Sequence, residues 1–243
     1  MEEKERYWWY RTKWHERHLK ALQLAGMSER TQECYIRAMR MLSEFCCKEP
    51  DLITEEELAD YFLYRRNVTR WTGATMRICH AGIKFFYRNV LKREWNTLDL
   101  IKARREKTLP AVLSKEEVRH VLAEVTTPHN YACLATIYSC GLRLQEGLSL
   151  EVSDIDGGRK MLHVHRGKGS KDRYVPLPEA TYRLLRRYWA THRNPRFIFP
   201  AVGRGGINGP VSTNPMSIEA LQGAFRAARY AAGIKKKASP SIP

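Results

Sequence analysis

The sequence predicts a mainly helical protein that carries one small antiparallel β-sheet and divides into two domains. Amphipathic stripes follow two capping boxes, Thr54 with Glu57 and Ser114 with Glu117, in which a hydroxyl and a carboxylate satisfy free backbone amides. Two short runs of β-type residues flank a glycine-containing turn after position 165. Between the capping boxes, the segment 102–110 is charged, lacks an apolar period and ends in a proline, which is typical of a linker.

Three helices are predicted before this linker. The first spans about 28–47, and the second begins at Thr54 and runs to about Arg65. The third spans about 72–91, and its expected apolar face consists of Ile78, Gly82, Phe85, Phe86 and Asn89. A neighbouring face carries a basic stripe at helical spacing, formed by Arg77, Ala81, Lys84 and Arg88. We therefore expect one side of the third helix to pack and the other to be cationic.

The second domain is predicted to begin at the capping box of Ser114. An apolar helical run over 131–138 can end at Gly141, and a short second helix then holds Arg143 and Glu146. The runs 161–165 and 174–177 predict two strands that are joined as a hairpin, with Lys168 at its tip. Further helices are predicted at about 179–189 and 217–232.

The charge balance indicates a polyanionic partner. Lys and Arg number 42 against 26 acidic residues, which gives a formal net charge of +16 over 243 residues. The charge is +6 before Thr108 and +10 from Thr108 onward, so both parts are expected to touch the polyanion. Double-stranded DNA or another nucleic acid is the leading partner class, and a merely solvated surface is the alternative.

Other partner and cofactor classes have less support in the sequence. The longest apolar stretches fall well short of the roughly 20 residues that a bilayer requires, and no signal-peptide core is present at the start, so we expect a cytoplasmic protein without a membrane contact. The six cysteines form no Cys-x-x-Cys pair and are expected to be reduced. His163 and His165 share a face of a predicted strand, but the sequence offers no third ligand at a suitable spacing, so no metal is expected.

Four segments in order resemble the tyrosine recombinase (integrase) family of bacteria and phages. They are Gly-Leu-Arg-Leu-Gln-Glu over 141–146, Arg-Gly-Lys-Gly-Ser-Lys-Asp-Arg over 166–173, Phe-Ile-Phe-Pro over 197–200, and the helix over 225–234. Arg143 and Lys168 are 25 positions apart (168 − 143), which also fits the family. The resemblance covers about 28–240 and implies DNA integration and site-specific recombination through a phosphotyrosyl intermediate, an activity associated with mobile elements. It also implies that no cofactor is needed.

The resemblance implies a domain order and roles for individual residues. A helical core-binding domain that clamps DNA occupies 1–101, 102–110 is the linker, and a partial α+β catalytic domain occupies 111–243. Arg143 would bind the phosphate, and Lys168 would protonate the leaving hydroxyl. Glu146 would position its neighbours, while Lys171 and Arg173 would be DNA-backbone contacts or solvent-exposed charges. A purely structural Arg143–Glu146 ion pair is the alternative, and an ATP site is disfavoured because the glycine-flanked lysine lacks the remainder of a P-loop.

The DNA-binding surface expected in the first domain is the basic stripe together with three nearby arginines. A cationic ridge with the small Ala81 at its centre can approach a phosphate backbone or enter a major groove. Arg65, Arg66 and Arg70 would enlarge the patch that Arg77, Lys84 and Arg88 form. The alternative is again a solvated helix face.

The printed sequence stops before the end of the family pattern. In the family, a His-x-x-Arg motif and a nucleophilic tyrosine would follow the 225–234 helix, whereas this sequence ends at Pro243. We therefore expect the chain on its own to be inactive in strand cleavage. Three readings remain open: an inactive recombinase by descent; a non-catalytic DNA-binding module that occupies recombination sites or joins complete recombinase subunits; and a DNA-binding regulator unrelated to recombination.

Overall fold

The structure is a computed structural model that describes residues 9–102, 111–165, 172–203, 207–236 and 238–240. The chain divides into two compact units, Met1–Thr108 and Leu109–Pro243, each of which has its own core. The division falls inside the predicted linker 102–110, most of which lies outside the described residues. The predicted hairpin tip with Lys168 and Lys171 also lies outside them.

The first unit is helical. Its helices are α1 Lys13–Leu24, α2 Glu29–Cys46, α3 Glu55–Asn67, α4 Gly73–Asn89 and α5 Thr97–Leu100. Hydroxyl side chains cap the first four, since Thr12, Ser28, Thr54 and Thr72 each accept a hydrogen bond from a backbone amide in the first helical turn. The capping box of Thr54 and Glu57 is confirmed, because each side chain bonds the other residue's backbone amide.

Helix α1 is an element that the sequence analysis missed. It buries Trp14, His18 and Leu22, which follow one another at intervals of four along one helix face. His18 is completely buried among aromatic rings, with Phe86 at 5.0 Å and Phe85 at 6.1 Å between ring centroids. Burial lowers the pKa of His18 to about 3, so the imidazole is neutral and packs as an apolar ring. The four-residue spacing was the signal that could have revealed this helix.

The apolar face predicted for α4 is partly wrong. Ile78 is 48% exposed and Asn89 is exposed, whereas the buried residues include Cys79, Ile83 and Tyr87. The buried face is therefore rotated by about one position from the predicted one. Tyr87 explains part of this rotation, because its hydroxyl donates a hydrogen bond of 2.9 Å to the carbonyl of Pro50 inside the core.

The second unit combines helices with a small sheet. Its helices are α6 Lys115–Ala123, α7 Pro128–Cys140, α8 Leu144–Leu148, α9 Glu179–His192 and α10 Ile218–Ala231, and its strands are β1 Ile155–Asp156, β2 Met161–Val164 and β3 Arg173–Pro176. The strands form an antiparallel sheet in the order β1-β2-β3. Within the described residues, the predicted hairpin strands are present as β2 and β3. The fold class predicted from the sequence is confirmed.

The two faces of β2 have different environments. Leu162 and Val164 point into the core, while His163 lies on the opposite face. The loop after α9 completes this core, because Phe197, Ile198 and Phe199 are buried and the Ile198 amide donates to the carbonyl of Leu150 at 3.0 Å. None of the helices in the described ranges has the length and apolarity needed to span a bilayer.

Gly147 provides a test of how α8 packs on α7. A Cβ at this position would collide with the side chain of Ile137, which is itself buried. We predict that Gly147→Ala lowers the free energy of unfolding of the second unit by about 1–3 kcal/mol, because the packed interior must shift to admit the methyl group. The measurement is urea denaturation followed by circular dichroism.

Gly223 is the matched control for this prediction. It lies exposed within α10, and a Cβ there would meet no atom within 4 Å. Gly223→Ala should therefore raise stability by roughly 0.5–1 kcal/mol through helix propensity alone. Equal effects of the two substitutions would contradict the close approach at Gly147.

Candidate functional site

Arg143 is placed by the junction between α7 and α8. Helix α7 ends at Gly141, whose φ of 63° is left-handed and therefore favours glycine. Leu142 then enters the core, and Arg143 takes the N-cap position of α8. The anchored residue before it fixes the backbone of Arg143, while its side chain remains 51% exposed.

Glu146 is the centre of a hydrogen-bonded cluster. Its side chain is only 8% exposed and accepts four hydrogen bonds. Arg143 donates two of them, from its backbone amide at 2.8 Å and from its Nη1 at 2.8 Å. Arg173 donates the other two as a bidentate pair, from Nη1 at 2.8 Å and from Nη2 at 2.7 Å. One carboxylate therefore holds two arginines.

The charge of this cluster is fixed at neutral pH. The hydrogen bonds from Arg173, supported by those from Arg143, lower the pKa of Glu146 to about 2 although burial acts in the opposite direction. The carboxylate in turn raises the pKa of Arg173. Two guanidinium groups against one carboxylate leave a net positive charge, which favours binding of an anion at the exposed Arg143.

Arg143 retains the capacity to bind an anion. Within the described part of the chain, its guanidinium is bonded to Glu146 through Nη1, and the group has further N–H donors in a planar arrangement. Such a fork matches the geometry of phosphate oxygens. Both interpretations of Arg143 from the sequence thus have a structural counterpart: the ion pair with Glu146 exists, and the side chain remains accessible.

Arg173 has a structural partner that the sequence did not reveal. From the sequence, Arg173 is expected to be a DNA-backbone contact or a solvent-exposed charge, whereas in the structure both of its terminal nitrogens bind Glu146. The two residues are 27 positions apart, so no local pattern could pair them. The expected role of Glu146 as a positioning group agrees with this geometry.

The basic stripe on α4 is partly neutralised within its own unit. Lys84 and Arg88 both bind the carboxylate of Asp99, and the Arg88 Nη2 to Asp99 Oδ2 distance is 3.2 Å. Lys84 is the main cause of a lowered pKa for Asp99. Arg77 lies half-buried on the same helix. Lys84 and Arg88 are therefore paired charges that share one acidic residue.

The three other predicted DNA-binding arginines occupy different environments. Arg65 packs over aromatic rings, with its Cζ 4.7 Å from the centroid of Trp71 and 5.0 Å from that of Tyr61. Arg66 donates to the carbonyl of Lys102 at 2.8 Å. Arg70 is exposed in the turn between α3 and α4. Arg65 thus has a packing role beside any contact with DNA.

A third ligand joins the two histidines that the sequence analysis singled out. The structure corrects the expectation that none was available, because one ligand atom from each of Asp154, His163 and His165 lies within 4.8 Å of the others. Asp154 precedes β1, and β1 pairs with β2, so the sheet brings the residues together. Sequence spacing alone could not show this, since β1 has only two residues and was not predicted.

Each of the two units matches a known protein family. Residues 14–97 match the family described as phage integrase, N-terminal SAM-like domain. Residues 111–241 match the family described as phage integrase family.

Relatives of known sequence support the same grouping. A putative integrase/recombinase of Sinorhizobium fredii, y4qK, is 33% identical over 180 residues, which cover 74% of this chain and 58% of the relative. A tyrosine recombinase XerC of Pelobacter propionicus is 32% identical over 177 residues, which cover 67% of this chain and 58% of the relative. The chain thus spans less than two thirds of the length of these relatives.

Solved structures show a similar fold at low sequence identity. A lambda integrase dimer bound to a COC' core site has a TM-score of 0.71 at 16% identity, covering 93% of this chain and 81% of that one. The Tn1549 transposon integrase in complex with circular intermediate DNA has a TM-score of 0.62 at 17% identity, covering 93% and 82%.

The cluster around Glu146 predicts a specific pH dependence. Because the folded-state pKa of Glu146 is lowered, its ionised form stabilises the fold above its ordinary pKa, and this contribution is lost as the pH falls toward about 2. Carbon-13 NMR titration of the Glu146 carboxyl should give a midpoint near 2. Arg173→Gln should raise this midpoint, because Arg173 is the main cause of the shift.

Arg183→Gln is the control for this titration. Arg183 is 71% exposed and pairs with Glu179 on α9, so its removal should leave the Glu146 midpoint unchanged. A midpoint near the ordinary glutamate value in the unsubstituted protein would contradict the described cluster.

Proposed function

The chain belongs to the phage integrase family, and on that basis we propose that it binds double-stranded DNA and acts in DNA integration and site-specific recombination. The observation that carries the proposal is Arg143, an exposed guanidinium that a buried and ionised Glu146 orients. The formal charge of +16 supports DNA as the partner. We further propose that the protein works in the cytoplasm.

The proposed chemistry is phosphoryl transfer in which a tyrosine oxygen attacks a DNA phosphodiester, forms a phosphotyrosyl bond and releases a deoxyribose hydroxyl. None of the tyrosines within residues 1–243 is assigned as this nucleophile, so the residues of this chain are proposed to bind and position the phosphate. Arg143 binds the nonbridging oxygens of the phosphate that is attacked, where charge increases in the transition state. Its orientation is set before DNA arrives, because its backbone amide and Nη1 are both held by Glu146. Preorganised donors of this kind need no reorganisation during the reaction.

Lys168 is proposed as the general acid that protonates the leaving deoxyribose hydroxyl. A lysine ammonium suits the transfer of a single proton, since its pKa responds to its surroundings more readily than that of arginine. Support for this role comes from the order of the motifs in the sequence. Lys168 comes after Arg143 and lies in the segment that connects β2 to β3. Lys171, which shares that segment, is proposed to contact the DNA backbone.

A broader DNA-binding surface is proposed on the first unit, formed by Arg65, Arg66, Arg70, Arg77, Lys84 and Arg88. DNA phosphates would compete with the Asp99 carboxylate for Lys84 and Arg88, since Asp99 already binds both cations. On the second unit, Arg173 contributes positive charge beside Arg143 while it remains bonded to Glu146. Further recombinase subunits are proposed as protein partners on the same DNA.

The first test of this function is the salt dependence of DNA binding. Fluorescence anisotropy with a labelled duplex should show the logarithm of the association constant falling linearly with the logarithm of the salt concentration. Arg143→Ala should weaken binding and reduce the slope by about 0.9, the value for one lost phosphate contact. Arg30→Ala removes the same charge from an exposed ion pair on α2 and should leave the slope unchanged.

Equal slopes for Arg143→Ala and the unsubstituted protein would remove Arg143 from the proposed phosphate site. A binding constant that hardly responds to salt would contradict the proposal of an extensive DNA interface.

A substitution of Asp99 is expected to strengthen DNA binding instead of weakening it. Asp99→Asn removes the carboxylate that competes with DNA for Lys84 and Arg88, so we predict tighter DNA binding and a steeper salt slope. The same anisotropy assay measures the change.

Glu33→Gln is the matched control, because it removes the same charge from an exposed ion pair with Arg30 on α2. If Asp99→Asn and Glu33→Gln tighten binding equally, the effect is one of net charge alone and the surface on α4 is not the DNA contact.

A further inference from the structure

The outer face of the hairpin carries side chains that the proposed reaction does not use. His163 lies on the solvent side of β2, and its ring stacks on that of its cross-strand partner Tyr174 at 4.6 Å between centroids, with an interplanar angle of 13°. His165 follows directly after β2, and its ring centroid lies 3.9 Å from that of His163. Strand alternation places both imidazoles on one face.

A buried carboxylate approaches the second of these histidines. The side chain of Asp154 is 5% exposed, and its Oδ1 lies 2.7 Å from the His165 Nε2. Its other oxygen, Oδ2, accepts a hydrogen bond of 2.8 Å from the Glu151 amide. This backbone bond fixes the orientation of the carboxylate, as the supporting hydrogen bonds of metal-binding carboxylates do.

A second carboxylate lies on the opposite side of the imidazoles. Asp172, which immediately precedes β3, places its Oδ2 3.4 Å from the His163 Nε2 and 3.5 Å from the His165 Nδ1. The group thus contains two imidazoles and two carboxylates drawn from three short stretches of chain. In a protein with a formal charge of +16, this is a local concentration of cation ligands.

We propose that His163, His165 and Asp154 form a binding site for one divalent transition-metal ion of the zinc type, with a water molecule as the fourth ligand. Imidazole nitrogen combined with carboxylate oxygen suits zinc, cobalt and nickel, whereas magnesium and calcium prefer ligand sets made of oxygen alone.

The geometry requires only a small adjustment to hold such an ion. The three ligand atoms lie within 4.8 Å of one another. Ligand atoms around a tetrahedral zinc ion are separated by roughly 3.3 Å, as follows from metal–ligand bonds of about 2 Å. The His165 Nε2 and Asp154 Oδ1, now 2.7 Å apart, would open slightly to reach this separation. Asp154 is buried, whereas the side chains of His163 and His165 are partly exposed, so the two imidazoles would make the adjustment.

The competing explanation is a set of hydrogen bonds and ion pairs between histidines and aspartates that needs no metal. Titration with Co²⁺ distinguishes the two, because a four-coordinate Co²⁺ ion absorbs visible light strongly and thiolate ligands add a separate near-ultraviolet band. The protein is prepared without a histidine tag, is freed of metal by chelation and is kept reduced. Zn²⁺ affinity is then measured by displacement of the bound Co²⁺.

The expected result is one Co²⁺ per chain, visible absorption without a thiolate band, and displacement by one equivalent of Zn²⁺. His163→Gln, His165→Gln and Asp154→Asn should each weaken Zn²⁺ binding at least tenfold. His120→Gln, a substitution of an exposed histidine on α6, and Cys47→Ser, a substitution of an exposed thiol, should leave the affinity unchanged.

Two outcomes would overturn the proposal. The first is the absence of both visible absorption and Zn²⁺ binding, which would leave ion pairs alone. The second is a Zn²⁺ affinity that His163→Gln and His165→Gln do not alter, or one that Cys47→Ser abolishes, which would place the ion elsewhere. His165 is exposed enough for its substitution to preserve the fold, and far-ultraviolet circular dichroism of each variant verifies this.

Discussion

The bidentate bond between Arg173 and Glu146 is the interaction on which the candidate site depends. It joins the first residue of β3 to α8, across 27 positions of sequence, and it holds the carboxylate ionised in a nearly closed environment. Because Glu146 is fixed by Arg173, it can in turn orient both the backbone and the side chain of Arg143. An exposed arginine without this support would lose side-chain entropy whenever it bound a phosphate.

The pleat of the sheet places the Glu146 cluster and the histidine cluster on opposite faces of the hairpin. Arg173 reaches the Glu146 cluster from one face of β3, while Tyr174 and His163 lie on the other face of the hairpin. Successive residues of a strand point to opposite faces, so adjacent positions can belong to the proposed phosphate site and the proposed metal site without contact between their side chains. On the first unit, Asp99 binds two cations of the proposed DNA surface, Lys84 and Arg88, as Glu146 binds two arginines on the second unit.

Local signals predicted most of the fold, whereas long-range contacts determined the site. Hydroxyl caps such as Thr54 and Ser114 located helix starts within about one residue, because a cap is a short-range hydrogen bond that the sequence shows directly. The two-residue strand β1 is too short to show a periodic pattern in the sequence. The buried face of α4 differs from the predicted one because Tyr87 lies in the core, where its hydroxyl bonds the carbonyl of Pro50. The Arg173–Glu146 pair and the place of Asp154 beside the histidines arise from tertiary folding, which no sequence spacing displays.

We propose that Glu146 affects DNA binding through Arg143, and a double-mutant cycle measures this coupling. DNA affinity would be measured for the unsubstituted protein, Glu146→Gln, Arg143→Ala and the double variant, at one salt concentration and with the fold of each verified. Glu146→Gln should weaken binding substantially when Arg143 is present and should have a much smaller effect when Arg143 is alanine. Equal effects of Glu146→Gln in the two backgrounds would contradict it.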